Sequence, residues 1–437
     1  MTRLGALVHY GSDGRRRRRA ALCGLLAALL ASCSRDGGRS HELRLWAMGR
    51  EGEVVQQLLP EFERRHPGVR VRVQQIPWSA AHEKLLTAFV GGAMPDVFQL
   101  GSTWVPEFAA IGAVAGLDQR IATSPSTAVD DFFPGIVDAN RIDGVTYGVP
   151  WYVDTRLLFY RRDLLAQAGF AAPPADWHAW ETSLHAVKQL VGPHNYAILL
   201  PVSEWQPLVI LALQRGAALL RDGDRYGDFQ SAAFRAAFAF YLDFFRRGLA
   251  PAEAEGQVAN LYQDFAAGFF AFYITGPWNI GEFRDRLAPA MQDRWDTAPM
   301  PAPEPGEPGI SIAGGASLAL SPRARDPDAA WQLIEYLAEP ATQIEFYRRT
   351  GDLPARRSSW ADRALADNRY ARAFRTQLQY LRPPPKVPEW ERIAAKLTDY
   401  ADAAVRGDMS PDEALAALDR DVDALLAKRR WLLERRS

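Results

Sequence analysis

Hydrophobic and polar positions alternate with period two over 42–46 (ELRLW), the pattern of a strand with one buried face. The period then lengthens. Across 52–65, Val54, Val55, Leu58, Leu59 and Phe62 share one helical face, and Pro60 inside that stretch is expected to kink or split the helix. His66, Pro67 and Gly68 stop it, and 69–73 (VRVRV) alternates again. A second helical pattern over 79–91 ends at Gly91-Gly92, and Pro95-Asp96 introduces a short apolar strand at 97–100. Strand, helix, strand, helix, strand predicts βα units and a largely parallel sheet covered by helices.

Three polar loops are predicted to leave these strands, at 48–53, 77–80 and 101–104. In open α/β sheets the ligand crevice lies beyond the carboxyl ends of the strands. The loops therefore gather Arg50, Glu51, Trp78, Ser102, Thr103 and Trp104 at one edge.

From Asp143 the texture changes. A turn at 144–150 (GVTYGVP) leads into Trp151, Tyr152, Val153, Asp154 and Thr155, then an apolar strand at 157–160 and a helix at 162–168. Further helices are predicted at 177–191 and 234–247, and 265–280 joins a helix end to the strand FYIT and then Gly276, Pro277 and Trp278. Five prolines in 299–308 predict a stiff connector between domains. Strand texture returns at 312–320, Asp326-Pro327 opens a helix to about 337, and 351–354 (GDLP) is another break. Near the end of the chain, Ser410-Pro411-Asp412-Glu413 reads as a capping box ahead of a stripe of Leu415, Leu418, Val422 and Leu425.

The N-terminus has a different character. Arg15 to Arg19 form a basic cluster ahead of an apolar run of about a dozen residues, a secretory signal too short to span a bilayer as a helix. It ends in Leu30-Ala31-Ser32-Cys33, which resembles a bacterial lipobox, so Cys33 is the expected lipidation site and 1–32 the signal peptide. The other cysteine, Cys23, lies within the signal, which leaves no internal disulfide for an exported chain. Residues 33–41 are small and polar and read as a lipid-anchored tether. The expected location is the cell envelope: periplasmic, on the outer face of the cytoplasmic membrane, or on the outer membrane. The lipid would be the sole membrane attachment.

At 437 residues, 48% hydrophobic and 24% charged, the chain suits two soluble domains. Its formal charge is −1; removal of the six Arg and one Asp of 1–32 leaves −6, so nothing favours a nucleic-acid partner. The histidines beyond the signal, at 41, 66, 82, 178, 185 and 194, form no HExxH, and no CxxC, P-loop, GxSxG or strand-borne GxGxxG is present. Neither a metal, a cofactor nor a catalytic centre is expected. Asp130-Asp131 reads as a solvated turn. A glycosidase carboxylate pair needs proximity only in space and stays open at this point.

Thirteen tryptophans change the picture. A sugar ring has an apolar C–H face and hydroxyls at its edge, so its site needs flat platforms ringed by hydrogen-bonding groups. That composition occurs at Trp104 with Glu107, at Trp151-Tyr152 with Asp154, at Glu204-Trp205 and at Trp278-Asn279. Trp177, Trp180, Trp331 and Trp431 fall on helical patterns and read as packing residues. Gly276 and Pro277 are expected to turn Trp278 out of its sheet.

In serial order, 42–430 resembles a family 1 extracellular solute-binding protein, the sugar receptor of a carbohydrate ABC importer. The resemblance rests on ELRLWAM, PEFERRHPGVRVRVQQIPW, GGAMPDVFQLGSTW, DGVTYGVPWYVDTRLLFYRRDLLAQAG, FAAGFFAFYITGPWNI, IAGGASLALSP, AAWQLIEYLAEPATQIEFY and TGDLP. It implies an α/β fold of the two-lobed periplasmic-binding-protein type II. Each lobe would be a mixed, mostly parallel sheet flanked by helices, with the ligand cleft between them. It implies an N-terminal lobe of 42–140 and 304–352, a C-terminal lobe of 141–303 and 353–437, and crossings near 138–145, 298–305 and 350–356. It further implies contacts from Glu51, Trp78, Ser102, Thr103 and Trp104, from Tyr152 and Asp154 of the second lobe, and from Trp278. Gly314 and Gly315 would admit the ligand to the backbone, and Asp352 and Arg356 would lie near the last crossing. Trp205 joins these candidates on composition. The expected partners are a carbohydrate and ABC permease subunits, and the expected state is a monomer. A sensing receptor on the same fold and a glycan-acting hydrolase are the competing readings.

Overall fold

The computed structural model describes residues 41–253 and 260–435. The signal peptide, the tether up to residue 40 and Cys33 lie outside the described residues. The chain begins with β1 (His41–Met48), passes directly into α1 (Gly49–Arg65), returns as β2 (Val69–Ile76), and continues through α2 (Trp78–Val90) to β3 (Val97–Gly101). β1 pairs in parallel with β2 and with β3, as the alternation predicts. α1 runs unbroken through Pro60. The proline sits on the exposed face of the helix.

β4 (Val149–Asp154) does not open the second lobe. It joins the first sheet, whose order is completed by β9 (Gly314–Leu320) and β10 (Leu353–Pro354), giving β10-β4-β9-β3-β1-β2. The second sheet has the order β8-β5-β7-β6 and is built from β5 (Leu157–Arg161), β6 (Tyr196–Leu199), β7 (Phe270–Thr275) and β8 (Trp295–Ala298). Its helices include α3 (Trp177–Val191), α4 (Gln206–Gln214), α5 (Ala232–Arg246) and α6 (Trp278–Arg286). The last part of the chain adds α7 (Pro327–Ala338) and α8 (Pro340–Thr350) to the first lobe, and α9 (Trp390–Arg406), α10 (Pro411–Leu425) and α11 (Ala427–Glu434) to the second.

The passages between sheets therefore fall later than expected. The first is Thr155-Arg156, because the apolar run before it is fully paired on the first sheet. The second lies between Ala298 and Gly314; the proline-rich segment stays on the second lobe, where Ala302 bonds to Ala175 and Trp177 through the backbone. The third follows β10, since the helix Arg369–Gln377 already packs on β8. The first two passages are tied side by side: the Thr155 hydroxyl donates to the Ile312 carbonyl at 2.8 Å, and the Ser311 hydroxyl to the Arg156 carbonyl at 2.6 Å.

Trp177, Trp180 and Trp331 are buried as the helical pattern predicts; Trp431 is not. Trp151 is fully buried and stacked on Phe346 at 4.5 Å, so it is core rather than cleft. The capping box at Ser410 and Glu413 is present.

Candidate functional site

A cleft of about 1670 Å³ separates the two sheets, lined from both sides. Every candidate residue from Glu51 to Asp352 borders it: Glu51, Trp78, Ser102, Thr103, Trp104, Tyr152, Asp154, Trp205, Trp278, Gly314, Gly315 and Asp352. Arg356 does not. It is buried elsewhere against Asp131, at 2.8 Å, and over the Phe132 ring. That pairing also corrects the reading of Asp131 as part of a solvated turn, because its carboxylate further accepts from Ser358.

The first wall is a hydrogen-bonded network. Two of the three expected loops are in fact helix starts, since β1 runs straight into α1 and α2 begins at Trp78. Glu51 thus sits in the first turn of α1, where a carboxylate is favoured by the helix dipole. Its Oε1 accepts from the Tyr152 hydroxyl at 2.9 Å and the Trp78 indole at 3.3 Å. Gln99 braces the network from β3: its amide donates to the Tyr152 oxygen at 3.0 Å while its own oxygen accepts from the Met48 amide at 2.7 Å. Tyr152 and Asp154 come from this first lobe, on β4, and not from the second.

Asp352 borders the same network. Burial, then the nearby Glu51 charge, pushes its carboxyl well above the usual carboxylate range, against a hydrogen bond from Thr350. Burial likewise raises Glu51, although its backbone, Tyr152 and Trp78 bonds oppose the shift. Both groups hold their protons more tightly than free carboxylates do, because the cleft floor removes water without supplying enough donors.

Gly314 and Gly315 run against β4 beneath these side chains. Gly315 has φ +111°, and a Cβ there would lie 2.4 Å from the Tyr152 carbonyl. Only glycine allows β9 to approach β4 so closely. Ser102 closes the corner by donating to the Gly315 carbonyl at 3.0 Å.

The second wall is aromatic. Trp278 is half-buried and opens α6. A Cβ at Gly276 would lie 1.9 Å from the Trp278 six-membered ring, so glycine lets the indole fold back over the turn. The Arg156 guanidinium lies over that ring, 4.4 Å from its centroid, and holds Asp154 through both carboxylate oxygens at 2.9 and 3.1 Å. Burial works against the Arg156 charge, but Asp154 and Glu204 outweigh it and keep the guanidinium pKa above its ordinary value. Arg156 thus stands in the first passage and touches both walls. Trp205 lies further along, edge-on to Trp390 at 5.3 Å.

At another part of the lining, α9 of the second lobe meets the 102–104 turn of the first. Burial raises the Glu391 pKa, with the neighbouring Thr103 opposing the shift. Beside them the His82–Glu107 pair, at 2.7 Å, lifts the histidine pKa, and His82 and Trp78 pack on Trp104 edge-on.

Sequence reasoning missed Gln99, Arg156 and Glu391. Gln99 left a signal, a lone polar residue in an otherwise apolar buried strand. Arg156 left a weaker one, a cation between Asp154-Thr155 and an apolar run. Glu391 left none, because its cleft partner is nearly three hundred positions away. Among the described residues no group of histidine, cysteine and acidic side chains could hold a metal ion. No described helix is long and apolar enough to cross a membrane.

Residues 48–344 match the family of bacterial extracellular solute-binding proteins. The chain belongs to that family. This solute-binding protein is 47% identical to the sugar-binding protein MalE of Xanthomonas citri, with 90% of this chain and 99% of that one covered and a TM-score of 0.86. The GacH receptor of Streptomyces glaucescens, whose structures include a complex with acarbose, is 25% identical, with coverage of 89% and 99% and a TM-score of 0.76. The diacetylchitobiose binding protein DasA of Streptomyces coelicolor is 24% identical over 403 residues, 90% of this chain and 92% of the relative. The solute-binding protein therefore has the two-lobed architecture expected from the sequence and is a receptor by family.

Proposed function

We propose that this protein is a lipid-anchored receptor that binds a sugar or oligosaccharide between its lobes and delivers it to the permease subunits of an ABC importer. One observation carries the ligand class: a large cleft whose acceptor groups, gathered on the first lobe, stand among tryptophans from both lobes, Trp78 and Trp104 from the first and Trp205 and Trp278 from the second. Glu51, Asp154 and Asp352 would accept from ring hydroxyls; Ser102 and Thr103 would contact the ring edge; Trp278 and Trp205, with Trp78 and Trp104, would take C–H faces. The backbone at Gly314 and Gly315 would lie directly under the ligand. A volume of about 1670 Å³ exceeds the several hundred Å³ of a drug-sized site and suits more than one ring.

Closure about the bonded pair of passages would bring the walls together, with Arg156 as the residue in contact with both. The sugar ligands named for the relatives support this reading, as does the Leu-Ala-Ser-Cys33 motif for the anchor. The mechanism needs no cofactor and no chemical step: binding energy is spent on closure, and release follows reopening at the permease.

Native mass spectrometry of the protein after incubation with a mixture of mono- and oligosaccharides tests the proposal. One intact carbohydrate retained per protein supports it. Shortened products in the supernatant would instead favour a glycan hydrolase, and retention of no carbohydrate would remove the ligand assignment.

A further inference from the structure

The last described helix, α11, buries none of its residues. Trp431 is 49% exposed and Leu432 42%, although the helical pattern alone assigns Trp431 to a core. Lys428 precedes Trp431 by three positions and Arg435 follows it by four, so all three share one side of the helix. The Arg435 guanidinium lies over the indole, 4.0 Å from its centroid.

Lys428, Arg429, Arg430 and Arg435 have no salt-bridge partner among the described residues, as is true of other surface arginines such as Arg372, Arg375 and Arg392; what marks this group is that it flanks exposed Trp431 and Leu432, with Glu434 the one acid of the helix. The acids of neighbouring α10 are already committed. Asp419 accepts from the Phe229 amide, Asp423 from the Gly227 amide, and Asp421 from Tyr400 and Lys396. Arg430 is held against Arg225 and Tyr226, which fixes the helix to its lobe while its outer side stays free.

A short helix that shows tryptophan and leucine amid unneutralised cations suits an apolar layer lying under negative charge. Lipid headgroups above acyl chains provide that order, and tryptophan favours the boundary between them. A second copy of the helix would bring like charges together, which argues against self-association. We propose that α11 rests on the surface of an anionic bilayer, with Trp431 and Leu432 in the headgroup region and Lys428, Arg429 and Arg435 against lipid phosphates. Such a contact would orient the second lobe relative to the membrane.

The test uses the exported protein carrying Ala427→Cys, labelled there with an environment-sensitive fluorophore, with the unsubstituted protein labelled in parallel as the blank. Phosphatidylglycerol-containing vesicles should shift the emission to the blue and allow quenching by brominated acyl chains, whereas phosphatidylcholine vesicles should not. Raising salt to about 0.5 M should reverse the effect. Lys428→Glu, Arg429→Glu and Arg435→Glu should each weaken it by about fivefold, and Trp431→Ala with Leu432→Ala should abolish the quenching. Unchanged far-ultraviolet dichroism of these variants separates lost contact from lost fold. Emission unchanged on both kinds of vesicle would overturn the proposal. So would a shift that needs the permease complex and is indifferent to lipid charge, since the helix would then dock on protein.

Discussion

The two walls of the cleft are built on different principles. The first is rigid and pre-bonded: Glu51, Tyr152 and Gln99 hold one another, and the Gly315 backbone is pressed against β4 beneath them. The second presents two indoles, Trp278 at a helix start beneath the Arg156 guanidinium and Trp205 further along, with fewer fixed hydrogen bonds. Hydrogen bonds demand angle and distance and so need a braced scaffold, whereas a flat apolar face tolerates sliding. A receptor with one wall of each kind can fix a ring's hydroxyl pattern on one side and admit several ring sequences on the other.

The sharpest way to break the contrast is Gly315→Val. Its Cβ has no room and its backbone conformation is unfavourable, so the first wall should lose its register. Chemical denaturation should show a destabilisation of about 2–4 kcal/mol, accompanied by loss of ligand binding. Glu51→Gln keeps the shape but removes the charge and one acceptor, leaving the Tyr152 hydroxyl poorly matched. Calorimetric titration should show roughly a 100-fold weaker carbohydrate affinity with little change in stability. Trp278→Ala should cost about 10-fold in affinity and almost nothing in the midpoint of unfolding, because the second wall is not part of a network.

Asp352 sharpens the contrast through pH. Its folded pKa lies above its unfolded value, so the fold holds the proton longer. The associated stability is fully present below about pH 4, the unfolded value, and is lost as pH rises through the raised folded one. Asp352→Asn should therefore make the unliganded protein about 1–2 kcal/mol more stable at pH 7 than the parent, with the difference fading towards pH 4. Ligand affinity should fall in the same variant, a separation that thermal unfolding with and without sugar reads directly. The smallest effect is expected at the α9 contact, where Glu391→Gln should change affinity by no more than about threefold, since the amide keeps the side chain's shape beside Thr103.

The alternation and helical periods of 42–100 exposed the first βαβαβ run almost residue by residue, because one face of each element is buried and period reports burial. They could not place β4. The stretch around Trp151 is apolar on both faces and carries no mark of which sheet it joins; pairing with β9, more than 150 positions later, decides that. The same limit applies to the site. Trp78, Trp104 and Glu51 are found at strand ends, which sequence locates well, while Arg156 joins the walls only through Trp278 and Glu391 meets the cleft only beside Thr103, partners brought close by closure of the chain on itself. Trp151 and Trp431 show the complementary error. The first lies three positions before Asp154 yet packs on Phe346, and the second sits on a helical pattern whose apolar side no part of the described chain covers.

The central claim is that the acidic and aromatic walls act together on one carbohydrate. Calorimetric titration of one retained oligosaccharide into the parent, Glu51→Gln, Trp278→Ala and the double variant tests this most directly. The account predicts saturable one-to-one binding without turnover, weakened by each substitution and nearly absent when both are combined. Binding that stays tight in the double variant would contradict it.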